Sequence, residues 1–191
     1  MESRLHELAR SAHEGDPEAA AELVGLTYAR VYAFLRRLAG QDADAADLTQ
    51  RTYQRAWSTL GNFAGRCSFP SWLHGIAWRT YVDWLRSPRR THPASDAWWE
   101  ACPAPGPGPD GQAAAADLAA CAWAAVERLE PDARAAVHLH YYQGLTLDET
   151  AAALGVAAST VKYRLRGALD TLRSALREPS PVRRPNPAPS R

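Results

Sequence analysis

Residues 91–116 read "THPASDAWWEACPAPGPGPDGQAAAA", and that composition leaves room for neither a helix nor a strand. The stretch holds five of the chain's 14 prolines and three of its 12 glycines. Proline fixes φ and lacks an N–H, while glycine loses the most entropy on ordering. The chain is therefore cut in two, and a core has to be built on either side of a flexible linker. A length of 191 residues then suits two small helical domains. Apolar content of 46% supplies a core for each.

The front piece, residues 1–90, predicts three helices. In "DPEAA", Asp16 is a suitable N-cap, Pro17 fits the first helical position and Glu18 favours the positive end of the dipole. Ala20, Leu23, Val24, Tyr28, Val31, Leu35 and Leu38 recur at three-to-four spacing up to a stop at Gly40. A second helix starts near Asp42 or Asp44 with a stripe of Leu48, Thr52, Tyr53, Ala56, Trp57 and Leu60. A third follows Pro70 and ends ahead of Pro88.

The rear piece, residues 117–178, predicts one helix over roughly 112–128, a second from Pro131 to Gly144, and then a helix-turn-helix. The last is written in "TLDETAAALGVAASTVKYRLR", Thr146 to Arg166. Thr146 and Glu149 fit a capping box, and Gly155 permits the left-handed backbone of a tight turn. Val156 and Val161 anchor the second helix, and Leu165, Leu169 and Leu172 continue its buried face. Ser159, Thr160, Lys162, Tyr163, Arg164 and Arg166 are left near its exposed start, where Arg and Lys suit guanine edges or phosphates. The tail 179–191 is Pro-rich and expected to be disordered. The expected fold class is all-α: two small helical domains joined by a flexible Pro/Gly-rich linker, the second containing a helix-turn-helix.

A net charge of only +1 looks wrong for a nucleic-acid binder until it is divided along the chain. The last helix, Lys162 to Arg177, holds five basic residues against Asp170, while the linker holds three acidic residues and no Arg or Lys. Positive charge is local, as a groove-facing helix requires. Other classes fall away. No run approaches the 18 apolar residues of a membrane span, and "MESRLHELARSAHEGD" lacks a signal-peptide core, so the expected location is the cytoplasm. Cys67, Cys102 and Cys121 are too widely spaced for a zinc motif, and His138 and His140 point apart on a helix. Neither a metal nor a cofactor is expected.

Three stretches together resemble a known family. "DADAADLTQRTYQRAWSTLGNF", "SFPSWLHGIAWRTYVDWLR" and "LEPDARAAVHLHYYQGLTLDETAAALGVAASTVKYRLRGALDTLR" look like the extracytoplasmic-function subfamily of bacterial sigma factors. The similarity covers about residues 18–90 and 120–176, in the family's order and with its linker between. The resemblance implies a region 2-like domain (1–90) and a region 4-like domain (117–178), working with core RNA polymerase (β′ and β subunits) on promoter DNA, not as an enzyme. It implies that the "DLTQ" helix docks on a coiled coil of β′ through Asp47, Leu48 and Gln50, with Arg51 and Gln54 beside them. It implies that "GNFAGRCSFPSW" opens the −10 element, with Asn62 and Ser68 meeting a base edge, Phe63 or Phe69 stacking, and Arg66, Arg79 and Arg86 on phosphates. The helix-turn-helix would then read the −35 element. Many members are held by an anti-sigma factor, and no residue here identifies one. Departures from the family's pattern are Ala157 in place of a Ser cap, Thr150 in place of an aliphatic residue and Tyr163 in place of a small one.

Two other readings remain open to the residues. One is a stand-alone helix-turn-helix transcription regulator with an N-terminal sensing or dimerisation domain. The other is a DNA-processing enzyme, for which no nucleophile or carboxylate constellation is visible.

Overall fold

The computed structural model describes residues 2–87, 122 and 124–177, with side chains described as far as Ser174. All the regular structure among these residues is helical. The linker, Trp98, Trp99, Cys102, Cys121, the start of the helix expected over 112–128, and the tail all lie outside the described residues.

Asp16 caps α2 (Pro17–Ala39) as its position suggests: its carboxylate accepts the N–H groups of Glu18 and Ala19. Gly40 ends the helix at φ 82°, a left-handed conformation that costs glycine nothing. Ahead of α2 stands a helix not expected from the sequence, α1 (Glu2–His13). Its stripe is only Leu5, Leu8 and Ala9, too short to be read without the α2 surface it covers. α3 (Asp42–Thr59) starts at a Gln41 N-cap that makes no side-chain cap bond, and the carboxylate of its first residue, Asp42, is engaged with α2. It accepts the Tyr32 hydroxyl at 2.8 Å and Arg36 Nε at 2.6 Å, and these bonds hold it below its ordinary pKa. α3 runs into a single 3₁₀ turn, Leu60–Asn62, and a loop leads to α4 (Phe69–Arg86), capped by Ser68.

These four helices share one core, with Val31, Phe34, Leu35, Leu48 and Ala77 fully buried. Tyr81 joins them and donates its hydroxyl to the Leu38 carbonyl at 3.1 Å. Such a tie satisfies a polar atom that burial would otherwise leave unpaired.

The rear unit holds a helical turn at 124–127, then α5 (Pro131–Val137), which widens into a π turn over His138–Tyr142 before Gly144. The sequence pattern predicts one regular helix here, and five residues of it are π. α6 (Leu147–Leu154) and α7 (Ala158–Arg177) complete the unit around Ala135, Ala136, Leu139 and Val161.

The two units, expected only to be tethered, also pack on each other. α6 lies across the start of α4, and α5 meets α2. Along this seam the Gln143 amide donates to the Arg30 carbonyl at 3.2 Å and Arg134 donates to the Arg37 carbonyl at 3.3 Å. The Phe34 ring sits between His74 and His138, at 5.4 and 5.5 Å. Burial pushes His74 down to about 4 and His138 down to about 3, so both rings are neutral in the seam.

Candidate nucleic-acid interface

The start of α6 is fixed by both halves of the capping box. Thr146 Oγ1 accepts the Glu149 N–H at 3.2 Å, and the Glu149 carboxylate accepts the Thr146 N–H at 2.9 Å. Gly155 takes φ 68° and turns the chain, and Val156 N–H returns to the Ala151 carbonyl at 3.1 Å. α7 then begins without a side-chain cap: the Ala157 carbonyl accepts from Thr160 and Val161, but its methyl offers nothing to the free N–H groups.

Val161, Leu165 and Ala168 face inward on α7. Ser159, Lys162, Tyr163 and Arg166 stand on the opposite side in solvent, at spacings that keep them on one helical face. Tyr163 is 80% exposed, the most exposed of the large apolar side chains among the described residues. Thr160 is half-buried. Arg164, expected with the reading residues, is instead turned inward, half-buried, and ion-paired to Asp132 of α5. In this conformation it braces α7 against α5, and of the six residues expected to face DNA those exposed are Ser159, Lys162, Tyr163 and Arg166.

In the front unit, Asn62 and Arg66 are exposed in the loop after α3. Phe63 is half-buried among rings, 5.1 Å from His6, 5.3 Å from Phe69 and 5.2 Å from Trp72. Phe69 is only 2% exposed, a core residue unavailable for stacking a base in this conformation. Ser68 is buried too, with its hydroxyl engaged by Glu149 at 2.6 Å. Arg79 and Arg86 are exposed on α4 and lie seven residues apart, hence on one face. Asp83 stands between them in sequence and is drawn away to Arg55 at 2.7 Å, which leaves that row positive.

On α3, Asp47, Gln50, Arg51 and Gln54 are all exposed and share a face, with Asp47 paired to Arg51 at 2.8 Å. Leu48 is 0% exposed. It belongs to the buried stripe with Thr52 and Ala56, so it seats the helix and offers no surface to a partner. What extends this face is a pair of residues expected in the buried stripes of their helices. Trp57 and Tyr28 are exposed, Tyr28 stacks on Tyr32 and Tyr53, and burial pushes the Tyr53 hydroxyl up to about 12. Only an i, i+3, i+4 count outward from Gln50 would have found Trp57. Among the described residues, no three His, Cys, Asp or Glu side chains gather where a metal could bind, and no helix is long and apolar enough to cross a membrane.

Both the front unit and the rear helix-turn-helix unit have matches among known proteins. Residues 23–91 match the family model "Sigma-70 region 2", and residues 119–172 match "Sigma-70, region 4". The ECF RNA polymerase sigma factor SigL of Mycobacterium tuberculosis is 32% identical over 151 residues, 78% of this chain and 83% of SigL. The chain belongs to the extracytoplasmic-function sigma factors.

SigE of Mycolicibacterium smegmatis is 35% identical over 81% of the chain, and SigW of Bacillus subtilis is 25% identical over 93%. The chain spans all of SigW's length but 60% of SigE's and 45% of that of the probable sigma factor RfaY of Xanthomonas campestris. Among solved structures, CnrH in complex with the cytosolic domain of CnrY matches at a TM-score of 0.68 and 22% identity. That match covers 93% of this chain and 99% of CnrH. The sigma factor RpoE, solved with the anti-sigma factor NepR from Bartonella quintana, matches at 0.66 and 24%, over 84% and 98% of the two chains. These two likenesses show the fold.

Proposed function

We propose that this sigma factor carries core RNA polymerase to its promoters in the bacterial cytoplasm, through three separate surfaces. The α3 face of Asp47, Gln50, Arg51 and Gln54 docks on the polymerase. The loop with Asn62, Phe63 and Arg66, backed by Ser68, Arg79 and Arg86, holds the opened −10 strand. The outward face of α7 reads the −35 element. The observation that carries this reading is the bare face of α7, with Tyr163 held in water above a basic row. Exposed Lys162 and Arg166 give that face the local positive charge that a groove-facing helix requires.

Magnitudes explain why polymerase is part of the reading. Stacking averages about 1.4 kcal/mol per base-pair step, so opening roughly 12 pairs costs on the order of 17 kcal/mol. Base contacts supply about 1–3 kcal/mol each. A few side chains of one small chain cannot open a promoter, and the polymerase clamp provides the remainder. The chain itself performs no chemistry. Under the same reading an anti-sigma factor, of the kind bound to RpoE in its solved complex, would act by covering these faces.

Two variants test the division of labour. Tyr163→Ala should weaken promoter binding by the holoenzyme while leaving assembly with core polymerase intact. Gln50→Ala should weaken assembly and leave the isolated rear unit's surface unaltered. Equal damage to both steps from each variant would refute it, and a nanomolar gel shift without polymerase would favour the stand-alone regulator.

A further inference from the structure

Two histidines of α1 rest on the loop that follows α3. His6 and His13 lie seven residues apart, hence on one face of the helix. The His13 ring fills the space beside Gly61: a Cβ placed there would stand 2.7 Å from His13 Cε1 and 3.1 Å from its Nε2. Gly61 takes no positive φ, so its backbone would accept alanine. What demands glycine there is the imidazole of another helix. His6 covers the other end of the loop. A Cβ on Gly65, which does take φ 65°, would stand 3.6 Å from His6 Cδ2, and the Phe63 ring lies 5.1 Å from that of His6. The His6 ring is itself oriented, because Nδ1 is 3.0 Å from the Glu2 carbonyl, an oxygen that can only accept. α1 carries both rings on a fixed support. Leu5, Leu8 and Ala9 seat it in the core, and Arg4 reaches both carboxylate oxygens of Glu22 on α2 at 2.8 Å. Asn62 and Arg66 of the same loop stay exposed. α1 ends before the residues that match the region 2 model, 23–91.

Resting on the function proposed above, we infer that α1 is the back wall of the −10 site, with His6 and His13 as the positioning residues that fix the loop and so set its choice of base. A loop that must be ordered when it takes up a strand loses affinity to that ordering, whereas one held beforehand does not. Holding also sharpens choice. Asn62 rejects a wrong base edge only from a fixed position, since a loose loop re-packs around whichever base arrives. Neither imidazole needs to touch DNA. They act through Gly61, Phe63 and Gly65, and the exposed side chains of the loop meet the strand.

The test uses holoenzyme made with the full chain, on a promoter library randomised at the −10 element behind a constant −35 element. His13→Ala and Gly61→Ala both part the ring from the glycine. The first removes the ring, and the second displaces an exposed side chain at the end of α1 that has room to swing away. Each should lower promoter opening several-fold, read by permanganate reactivity of unpaired thymines, and should flatten the base preference of the library. The double variant should be no worse than either single, because one contact is lost only once. His6→Ala should flatten the preference too. A role confined to stability leaves a different pattern, in which fewer folded molecules lower every promoter alike and base preference stays parental. That pattern would overturn the inference, and so would additive damage in the double variant. Urea unfolding and affinity for core polymerase, measured on the same variants, correct for the folded fraction, so a variant that folds poorly is judged on the molecules that fold. If the parent opens no promoter, the proposed function falls and the inference with it. An active parent whose variants keep its base preference removes the inference alone.

Discussion

The two histidines of the seam make an acid-lability prediction. An ordinary histidine titrates near 6.5, whereas His74 holds off protonation until about 4 and His138 until about 3. In both cases burial is the leading cause. Arg30 adds to the depression of His74, against which its hydrogen bond with the Pro70 carbonyl at 2.7 Å works, and His74 and Arg37 both disfavour a proton on His138. As pH falls through 6.5 the unfolded chain takes up two protons that the folded chain refuses, so stability is present above 6.5 and drains away towards the folded values. Between pH 7.5 and 5.0 each ring forfeits about 2 kcal/mol, about 4 kcal/mol together. Because both folded values lie below 5, the loss at pH 5 is set by the unfolded pKa alone. It is large against a typical total of about 5–15 kcal/mol. The depressed carboxylates Asp42 and Glu149 act in the same sense but only below their ordinary range, outside this window. Glu127, raised by burial, acts the other way, and Glu127→Gln removes that offset. Urea unfolding at pH 7.5, 6.5, 5.5 and 5.0 should show the decline, and His74→Leu and His138→Leu should each remove about half of it. An unchanged unfolding free energy from pH 7.5 to 5.0 would mean the rings are not neutral and buried as described.

Leu48→Ala should cost about 2–5 kcal/mol of stability, as truncation of a fully buried leucine does, while the folded fraction binds polymerase with parental affinity; a binding defect at full stability would return Leu48 to the contact surface. Thr150 is fully buried with no hydrogen-bond partner for its hydroxyl, so Thr150→Val should raise stability by about 1 kcal/mol in chemical unfolding; a loss of that size would show that the hydroxyl is satisfied.

What the sequence disclosed was what is local. Asp16, Gly40, Thr146, Glu149 and Gly155 cap or turn the chain through bonds within four residues of themselves, and each took the capping or turn role its chemistry suggests. α1 was hidden because Leu5 and Leu8 make too short a stripe to stand out before α2 is there to receive it. The π turn at His138–Tyr142 carries no composition signal, since widening a helix by one residue depends on what it packs against. Leu48 was legible both as a motif letter and as one step of the Leu48, Thr52, Ala56 stripe, and burial followed the stripe. Phe69 and Arg164 have the right chemistry for DNA yet turn inward, one to the core and one to Asp132. The pairing of Ser68 with Glu149 joins residues 81 apart, beyond the reach of any pattern.

The most direct measurement is to map transcription starts on random-sequence templates with core polymerase, with and without this chain. The account predicts a new set of starts only when the chain is present, each preceded by a shared pair of elements, with Tyr163→Ala changing preference at the upstream element alone. Starts that are the same with and without the chain would contradict it.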